Sequence, residues 1–502
     1  MARRQTIRYA WPILVAWCGF LFFFGLSGPL YRTEALRAII GQESLNGHWL
    51  VPTLYGEPFL TKPPGVYVAI AAASVPFGRV TEETARIPSA LAATFTVLFA
   101  FATFRRFLGA RSAFALAMCL PVSVLWLDKA PSAEIDMLQL AWVTAALCCV
   151  LRAVEVGAAY PTAWWLAALA CVAGGFLTKW TAPAFFYLTI GPLLVWRGQW
   201  RLLFGWRHLL AVGLATGLCT AWAVTVAEQV GWDVLRDTVG REATQRFAPG
   251  GRGKPYPWVE SLTFPAVVLG ANAPWSLLAL FALRPTFFRQ WDARGQLVLQ
   301  LLHCWAWPNL LFWSLPAQHN VRYVMPICPA FVGLGVMVLL SGESRRREMT
   351  RVLLKPRTLF WGGLIAWAVV KIAFVAVVVP GRTAERNARA TGTEIARLVP
   401  AGEILYLCRL KDEGVLFYYG RPARRFTFDQ PPVEGPFYAL LLDAEWGMRD
   451  TFTSVELVRE LQDQQHAPIY LVRMVGSRGW FDLWQRHLPM DEEGQTSSAS
   501  AP

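Results

Sequence analysis

Trp11-Pro12-Ile13-Leu14-Val15-Ala16-Trp17-Cys18-Gly19-Phe20-Leu21-Phe22-Phe23-Phe24-Gly25-Leu26-Ser27-Gly28-Pro29-Leu30 is a run without a single charge. A bilayer core is crossed by about 20 mainly apolar residues in a helix, so this stretch reads as a span over about residues 10–30. Arg3, Arg4 and Arg8 precede it, and Tyr31-Arg32-Thr33-Glu34 follows it. Basic residues mark the cytoplasmic side of a span, which places the N-terminus inside and Tyr31 outside. No small-x-small cleavage pattern follows cleanly, so the first helix is expected to be retained.

The pattern recurs. Of the 502 residues, 55% are hydrophobic and only 16% charged, where a soluble chain carries roughly 25% charged residues. Apolar runs predict about eleven spans (range 11–13): residues 10–30, 86–104, 110–127, 136–152, 162–178, 181–196, 207–227, 258–283, 295–314, 322–341 and 358–380. With the N-terminus inside, the inner loops collect Arg105, Arg106 and Arg111, then Arg152, then Arg197, Arg201 and Arg207, then Arg284, Arg289 and Arg294, then the basic stretch 345–357. The short outer loops hold only Lys129, Lys179 and Arg322. That asymmetry is the positive-inside rule, and an odd span count puts the C-terminal region outside. Pro63–Gly78 is apolar but too short to cross, and reads as an interfacial or re-entrant helix in the first outer loop, residues 31–85.

Beyond residue 380 the composition becomes that of a soluble domain. Residues 381–490 are predicted to form a small extracytoplasmic α/β domain, with helices over 384–398 and 455–465 and strands over 404–408, 437–442 and 469–474. Residues 491–502 read as a disordered tail. The net charge of +13 is accounted for by the inner loops. No clustered basic-aromatic face points to nucleic acid, and the nine cysteines show no metal-binding spacing.

Acids and cations gather in the predicted outer loops: Tyr31 to Arg37, Thr61-Lys62-Pro63-Pro64, and Asp128-Lys129 through Asp136. A carboxylate there can take a proton from an acceptor or bind a metal, and a Lys or Arg can hold a phosphate leaving group. Charged residues at helix ends are also commonly solvated or paired with headgroups.

Motifs sharpen the choice. Gly47-His48-Trp49-Leu50-Val51-Pro52, Gly56-Glu57-Pro58 and Lys62-Pro63-Pro64 resemble the first outer loop of the aminoarabinose transferases, in the dolichyl-phosphate-mannose–protein mannosyltransferase superfamily. Further similar stretches are Ala85–Leu91, Ala133-Glu134-Ile135-Asp136-Met137, Phe176-Leu177-Thr178-Lys179, Gln245-Arg246-Phe247 with Pro274-Trp275, and Arg322-Tyr323-Val324-Met325-Pro326. The resemblance implies the C-type glycosyltransferase fold. It also implies inverting transfer of a pentose or hexose, 4-amino-4-deoxy-L-arabinose among them, from a polyprenyl-phosphate donor. The acceptor would be lipid A or another outer-surface molecule, lipid or protein, in the inner (plasma) membrane. It implies Lys62 on the donor phosphate, Glu34 or Asp136 as base, and Arg86, Lys179, Arg246, Arg322 and Tyr323 as substrate contacts. The sequence departs from the family at two points. Arg32 stands in gapless register at the family's first acid, leaving Glu34 as the nearest substitute, and Thr61 stands where the family has a metal-associated Glu. No cofactor is required, and a divalent metal stays open. The alternatives are a protein glycosyltransferase of the same fold, and a polyprenyl-lipid flippase or transporter, which would carry ionisable residues deep in its bundle.

Overall fold

The computed structural model describes residues 2–247, 255–349, 356–426, 435–447, 449 and 454–475. The chain divides into two compact units: residues 1–28, 37–54 and 58–379 in the first, and residues 29–36, 55–57 and 380–502 in the second. Two short pieces of the first loop therefore belong with the C-terminal region.

The first unit is helical. In chain order it contains α1 (Ala2–Cys18), prolonged by a π-turn over Gly19–Phe23; most of α2 (Thr33–Leu45); α3 (Gly65–Ser74); α4 (Glu82–Cys119); α5 (Val124–Lys129); α6 (Ile135–Ala153); α7 (Pro161–Phe176); α8 (Ala182–Trp196); α9 (Trp206–Val230); and α10 (Trp232–Phe247). There follow α11 (Trp258–Ala271), α12 (Trp275–Phe281), α13 (Pro285–Phe288), α14 (Ala293–Trp313), α15 (Cys328–Met349) and α16 (Pro356–Ala373). Between α2 and α3, β1 (Thr53–Leu54) and β2 (Glu57–Pro58) form a two-stranded sheet.

Every predicted span falls on a helical region, but not always on one uninterrupted crossing. Among the described residues five helices are long and apolar enough to cross by themselves, or six if α11 and α12 count as one bent span. Four other apolar helices are shorter. Gly109, at φ 77°, breaks α4 between the predicted spans 86–104 and 110–127, and the second is corrected at its far end, since the helix stops at Cys119. Ser123 then accepts from the Trp126 amide and starts α5 separately. The predicted span 258–283 bends by 103° between α11 and α12. Pro63–Gly78 contains α3, ten residues long, capped by a 3-10 turn over Val75–Phe77.

The starts of these helices are written locally. At α4, the Thr81 hydroxyl accepts from the Thr84 amide at 3.2 Å, and the Thr84 hydroxyl accepts from the Thr81 amide at 2.8 Å, a reciprocal cap. Asp292 accepts from the Gly295 amide and opens α14. Burial then sorts the bundle. The apolar stretch of α6 is 89% buried, whereas that of α9 is 11% buried and faces outward. Trp126, Phe185, Trp305 and Phe331 fill the core between α5, α8, α14 and α15.

The second unit contains α17 (Val379–Arg386, its first residue in the first unit), α18 (Ala388–Leu398), β3 (Leu405–Leu407), α19 (Glu413–Tyr419), β4 (Ala423–Arg425), β5 (Phe437–Leu442), α20 (Asp443–Trp446), β6 (Ser454–Gln462) and β7 (Pro468–Val475). The strands form a mixed sheet in the order β4-β3-β5-β7-β6, with β3 parallel to β4 and β5, and β7 antiparallel to β5 and β6. The predicted helix over 455–465 is corrected: that segment is strand β6, paired with β7 from Ser454 to Gln462 with one irregularity between Leu457 and Arg459. Its Leu, Glu and Gln content favours helix, but pairing with a buried strand overrides propensity. The predicted tail 491–502 lies outside the described residues.

In the first unit, the turn after Lys62 rests on a close approach. The Gly65 amide donates to the Leu177 carbonyl at 2.8 Å, and a Cβ on Gly65 would stand 2.7 Å from the Thr178 hydroxyl and 2.8 Å from the Leu177 carbonyl. Gly65→Ala is expected to lower stability by about 1–3 kcal/mol, the usual cost of overpacking, while Gly191→Ala, with open space around its added methyl, should be neutral. Thermal unfolding of both variants in one detergent checks this, and equal midpoints would refute the close approach.

Candidate active site

Helix α6 opens with two acids, Glu134 at its cap and Asp136 in its first turn. Both lie where the positive end of the helix dipole favours negative charge. Neither is solvated: Glu134 is 3% exposed and Asp136 1%. Buried carboxylates need partners, and elements distant in sequence supply them. After α7 the chain turns through Leu177 to Thr181, with the Lys179 amide donating to the Gly175 carbonyl at 2.8 Å. That turn aims Lys179 Nζ at Asp136 Oδ1, 2.6 Å away, with both side chains all but inaccessible. Arg37, from α2, places Nη1 2.8 Å from Glu134 Oε2 and donates to the Ala133 carbonyl at 3.3 Å. Ser89 of α4 donates to the Glu134 carbonyl at 3.0 Å.

Before α15, the 3-10 segment Val321–Ile327 is opened by Asn320, whose side chain accepts from the Arg322 amide. It brings Arg322 to 3.9 Å from Glu134 and sets the Tyr323 ring against two cations, Lys179 at 5.1 Å and Arg322 at 5.6 Å from its centroid. Arg37, Lys179 and Arg322 thus face Glu134 and Asp136, three cations against two anions. Water is largely excluded from Glu134, Asp136 and Lys179, where charge interactions are strong.

Lys62 faces a different acid. Its Nζ donates to the Thr61 carbonyl at 2.8 Å and lies 2.5 Å from Glu242 Oε2 on α10. Trp180 Nε1 also reaches the Thr61 carbonyl, at 3.3 Å. Helix α10 is held to the same loop by packing: Leu235 joins Val51, Leu60, Trp222 and Val226 in a small apolar cluster. The Trp222 indole donates to the Leu50 carbonyl at 3.0 Å.

The other residues singled out by sequence fare differently. Arg86 is buried and donates from Nη1 to the carbonyls of Leu26 and Gly28 at 2.6 and 2.7 Å, which fastens the end of the first span. Arg246 is on the last turn of α10, and its side chain lies outside what the structure describes. Glu34 is half-buried on the first turn of α2 and belongs to the second unit, whereas Lys62, Asp136, Lys179, Arg322 and Tyr323 belong to the first. Sequence reasoning passed over Arg37, Glu134 and Glu242 as site residues. Glu134 and Arg37 stood inside quoted clusters, and two acids a single residue apart at a helix start were the available signal. Nothing in the sequence paired Glu242 with Lys62, 180 residues away.

The residues present do not fit a divalent metal. Among the described residues no three His, Cys, Asp or Glu side chains come together. Position 61 offers a Thr, and Glu134, Asp136 and Glu242 each face a cation.

Residues 61–225 match the family described as Dolichyl-phosphate-mannose-protein mannosyltransferase. Over 320 residues the chain is 27% identical to the undecaprenyl phosphate-alpha-4-amino-4-deoxy-L-arabinose arabinosyl transferase of Erwinia tasmaniensis, covering 62% of this chain and 55% of that protein. The chain thus spans about half the length of the curated relative it matches. The crystal structure of ArnT from Cupriavidus metallidurans bound to undecaprenyl phosphate superposes with a TM-score of 0.71 at 17% identity, covering 93% of this chain and 97% of that one. The apo form gives 0.71 at 16% identity, covering 93% and 98%. In sequence this multi-pass membrane protein resembles the aminoarabinose transferases of the mannosyltransferase superfamily, and its fold is their C-type membrane glycosyltransferase fold.

Proposed function

We propose that the chain transfers a sugar, a pentose or hexose such as 4-amino-4-deoxy-L-arabinose, from a polyprenyl-phosphate donor to lipid A or another outer-surface acceptor in the inner membrane. The observation that carries this reading is the Lys62 ammonium held 2.5 Å from a carboxylate. An ammonium presented to one oxyanion is equally suited to a phosphate, and the Glu242 carboxylate stands in for the donor's. In the reaction an acceptor hydroxyl oxygen bonds to the sugar's anomeric carbon from the face opposite the phosphate. The carbon–oxygen bond to the phosphate breaks, and its electron pair leaves with the polyprenyl phosphate. A carboxylate takes the hydroxyl proton. Lys62, with the cations Arg37, Arg322 and Lys179, stabilises the negative charge of the leaving group.

Of the two acids named as base, Asp136 is buried and taken up by Lys179. We assign it to positioning Lys179 and Tyr323, and assign the proton transfer to Glu34. The same reading places the N-terminus in the cytoplasm and residues 381–490 outside it.

Purified protein in vesicles with a lipid-linked aminoarabinose donor and lipid A tests the proposal. Lys62→Ala is expected to lower turnover by about 100-fold or more, the usual loss when one charge-stabilising donor is removed, with the variant still folded. Near wild-type turnover would remove the assignment. Glu242→Gln should leave folding intact and lower the donor KM, since it frees Lys62. A raised KM with unchanged kcat would instead make Glu242 a donor contact.

Glu34→Gln should cost roughly two to four orders of magnitude in kcat, as the loss of a general base does, with donor KM nearly unchanged. Asp136→Asn should act chiefly on stability, by about 3–5 kcal/mol, because it leaves Lys179 buried without its counter-charge. Full activity in Glu34→Gln, with Asp136→Asn folded but inactive, would transfer the base role to Asp136. A reporter active only in the cytoplasm, fused after Pro502, should stay silent in cells, and strong activity would reverse the proposed orientation.

A further inference from the structure

A second set of charges converges in the first unit, on segments that sequence alone treats as separate loops. Arg106 precedes the Gly109 break in α4, Arg152 is in the last turn of α6, and Arg294 is the second residue of α14. All three approach Glu155, whose side chain is only 5% exposed. Arg106 Nε lies 2.6 Å from Glu155 Oε2, and Arg294 Nη2 lies 3.5 Å from Glu155 Oε1. Arg152 is within electrostatic reach of both Arg106 and Glu155, and its guanidinium covers the Trp164 ring at 4.8 Å.

Among the described residues, two guanidinia therefore pair with one carboxylate and a third lies within its electrostatic reach, three positive charges around one negative. The plain reading is that these arginines set topology and are solvated one by one. Convergence on a buried acid from three different connections argues against separate solvation, because like charges brought together raise one another's energy. The Arg106 and Arg294 side chains are still 42% and 59% exposed, and a guanidinium has five N–H donors, so the cluster can accept a further anion from the surface. Beside it, the connection from Glu155 to α7 exposes Val156 at 87% and Tyr160 at 81%. An apolar and an aromatic side chain turned outward next to a cationic cluster suit the headgroup layer of a bilayer, and a soluble anion would have no use for them.

We propose that Arg106, Arg152 and Arg294 form a binding site for the phosphate of an anionic glycerophospholipid, with Val156 and Tyr160 against its glycerol and upper acyl region. Glu155 gathers the arginines and sets their spacing. The lipid fastens α4, α6 and α14 together at one membrane surface, away from the residues assigned to sugar transfer.

The test is native mass spectrometry of the purified full chain mixed with phosphatidylglycerol or phosphatidylcholine. Wild-type protein should retain phosphatidylglycerol in preference to phosphatidylcholine, and millimolar inorganic phosphate should not displace it. Because Arg106→Gln alone would leave Glu155 short of a partner, the variant is the triple Arg106→Gln/Glu155→Gln/Arg294→Gln, which keeps amides able to hydrogen-bond one another. Removing two arginines and one acid lowers the local charge by one, so its phosphatidylglycerol affinity should fall about 5-fold, at roughly 1 kcal/mol for each positive charge lost near a lipid surface. Arg201→Gln/Arg207→Gln, which removes two exposed arginines each lying over its neighbouring Trp, should leave it unchanged. Equal losses in the two variants would mean diffuse surface charge and overturn the site. Displacement by inorganic phosphate would overturn the lipid assignment in favour of a soluble anion.

Discussion

Between the start of α6 and the turn after α7, a carboxylate and an ammonium lie 2.6 Å apart with almost no water access. Withdrawing both charges from water costs several kcal/mol per ion, and their attraction balances that cost only in good geometry with other partners in place. The arrangement around them meets that condition. Tyr323 offers its ring to Lys179, Arg322 spans from Tyr323 toward Glu134, and Arg37 closes on Glu134 from α2. Helices α2, α6 and the segment leading into α15 are thereby locked to one electrostatic centre. Loss of either member of the Asp136–Lys179 pair removes the other's close counter-charge, so the network fixes relative position more than it adds net stability.

That lock divides labour between two lysines. Lys179 is committed to Asp136 and shielded. Lys62 is partly exposed and faces Glu242, on a helix that packs through a small apolar cluster. The more exchangeable of the two is the one suited to greet a mobile anion. The cluster around Glu155 follows the same logic on another set of connections, with a buried acid organising cations that keep donors facing outward.

The bundle was legible in the sequence because a spanning helix must satisfy its own backbone and face lipid or core with apolar side chains, which stamps a long uncharged run on the chain. The errors came where a single residue or a distant partner decided. The helix after Gly109 stopped at Cys119, and Ser123 capped a new one, where hydropathy ran on to residue 127, and β7 drew residues 454–462 into a sheet against their helical composition. Lys62 and Asp136 stood out through the motifs around them. Lys179 stood out in the same way but not as the partner of Asp136, 43 residues away, and Glu242, 180 residues from Lys62, did not stand out at all, because hydrogen-bond partners at such separations are set by how helices pack.

Helix α9 has 25 residues and so runs about 38 Å, longer than the roughly 30 Å of a bilayer's hydrocarbon core. Its apolar stretch is only 11% buried, and Gly231 alone separates it from α10, which carries Glu242. A helix longer than the core it crosses takes up the difference by tilting. A change in the tilt of α9 would pass through Gly231 to α10, so the helix whose Glu242 faces Lys62 is geared to the thickness of the surrounding bilayer.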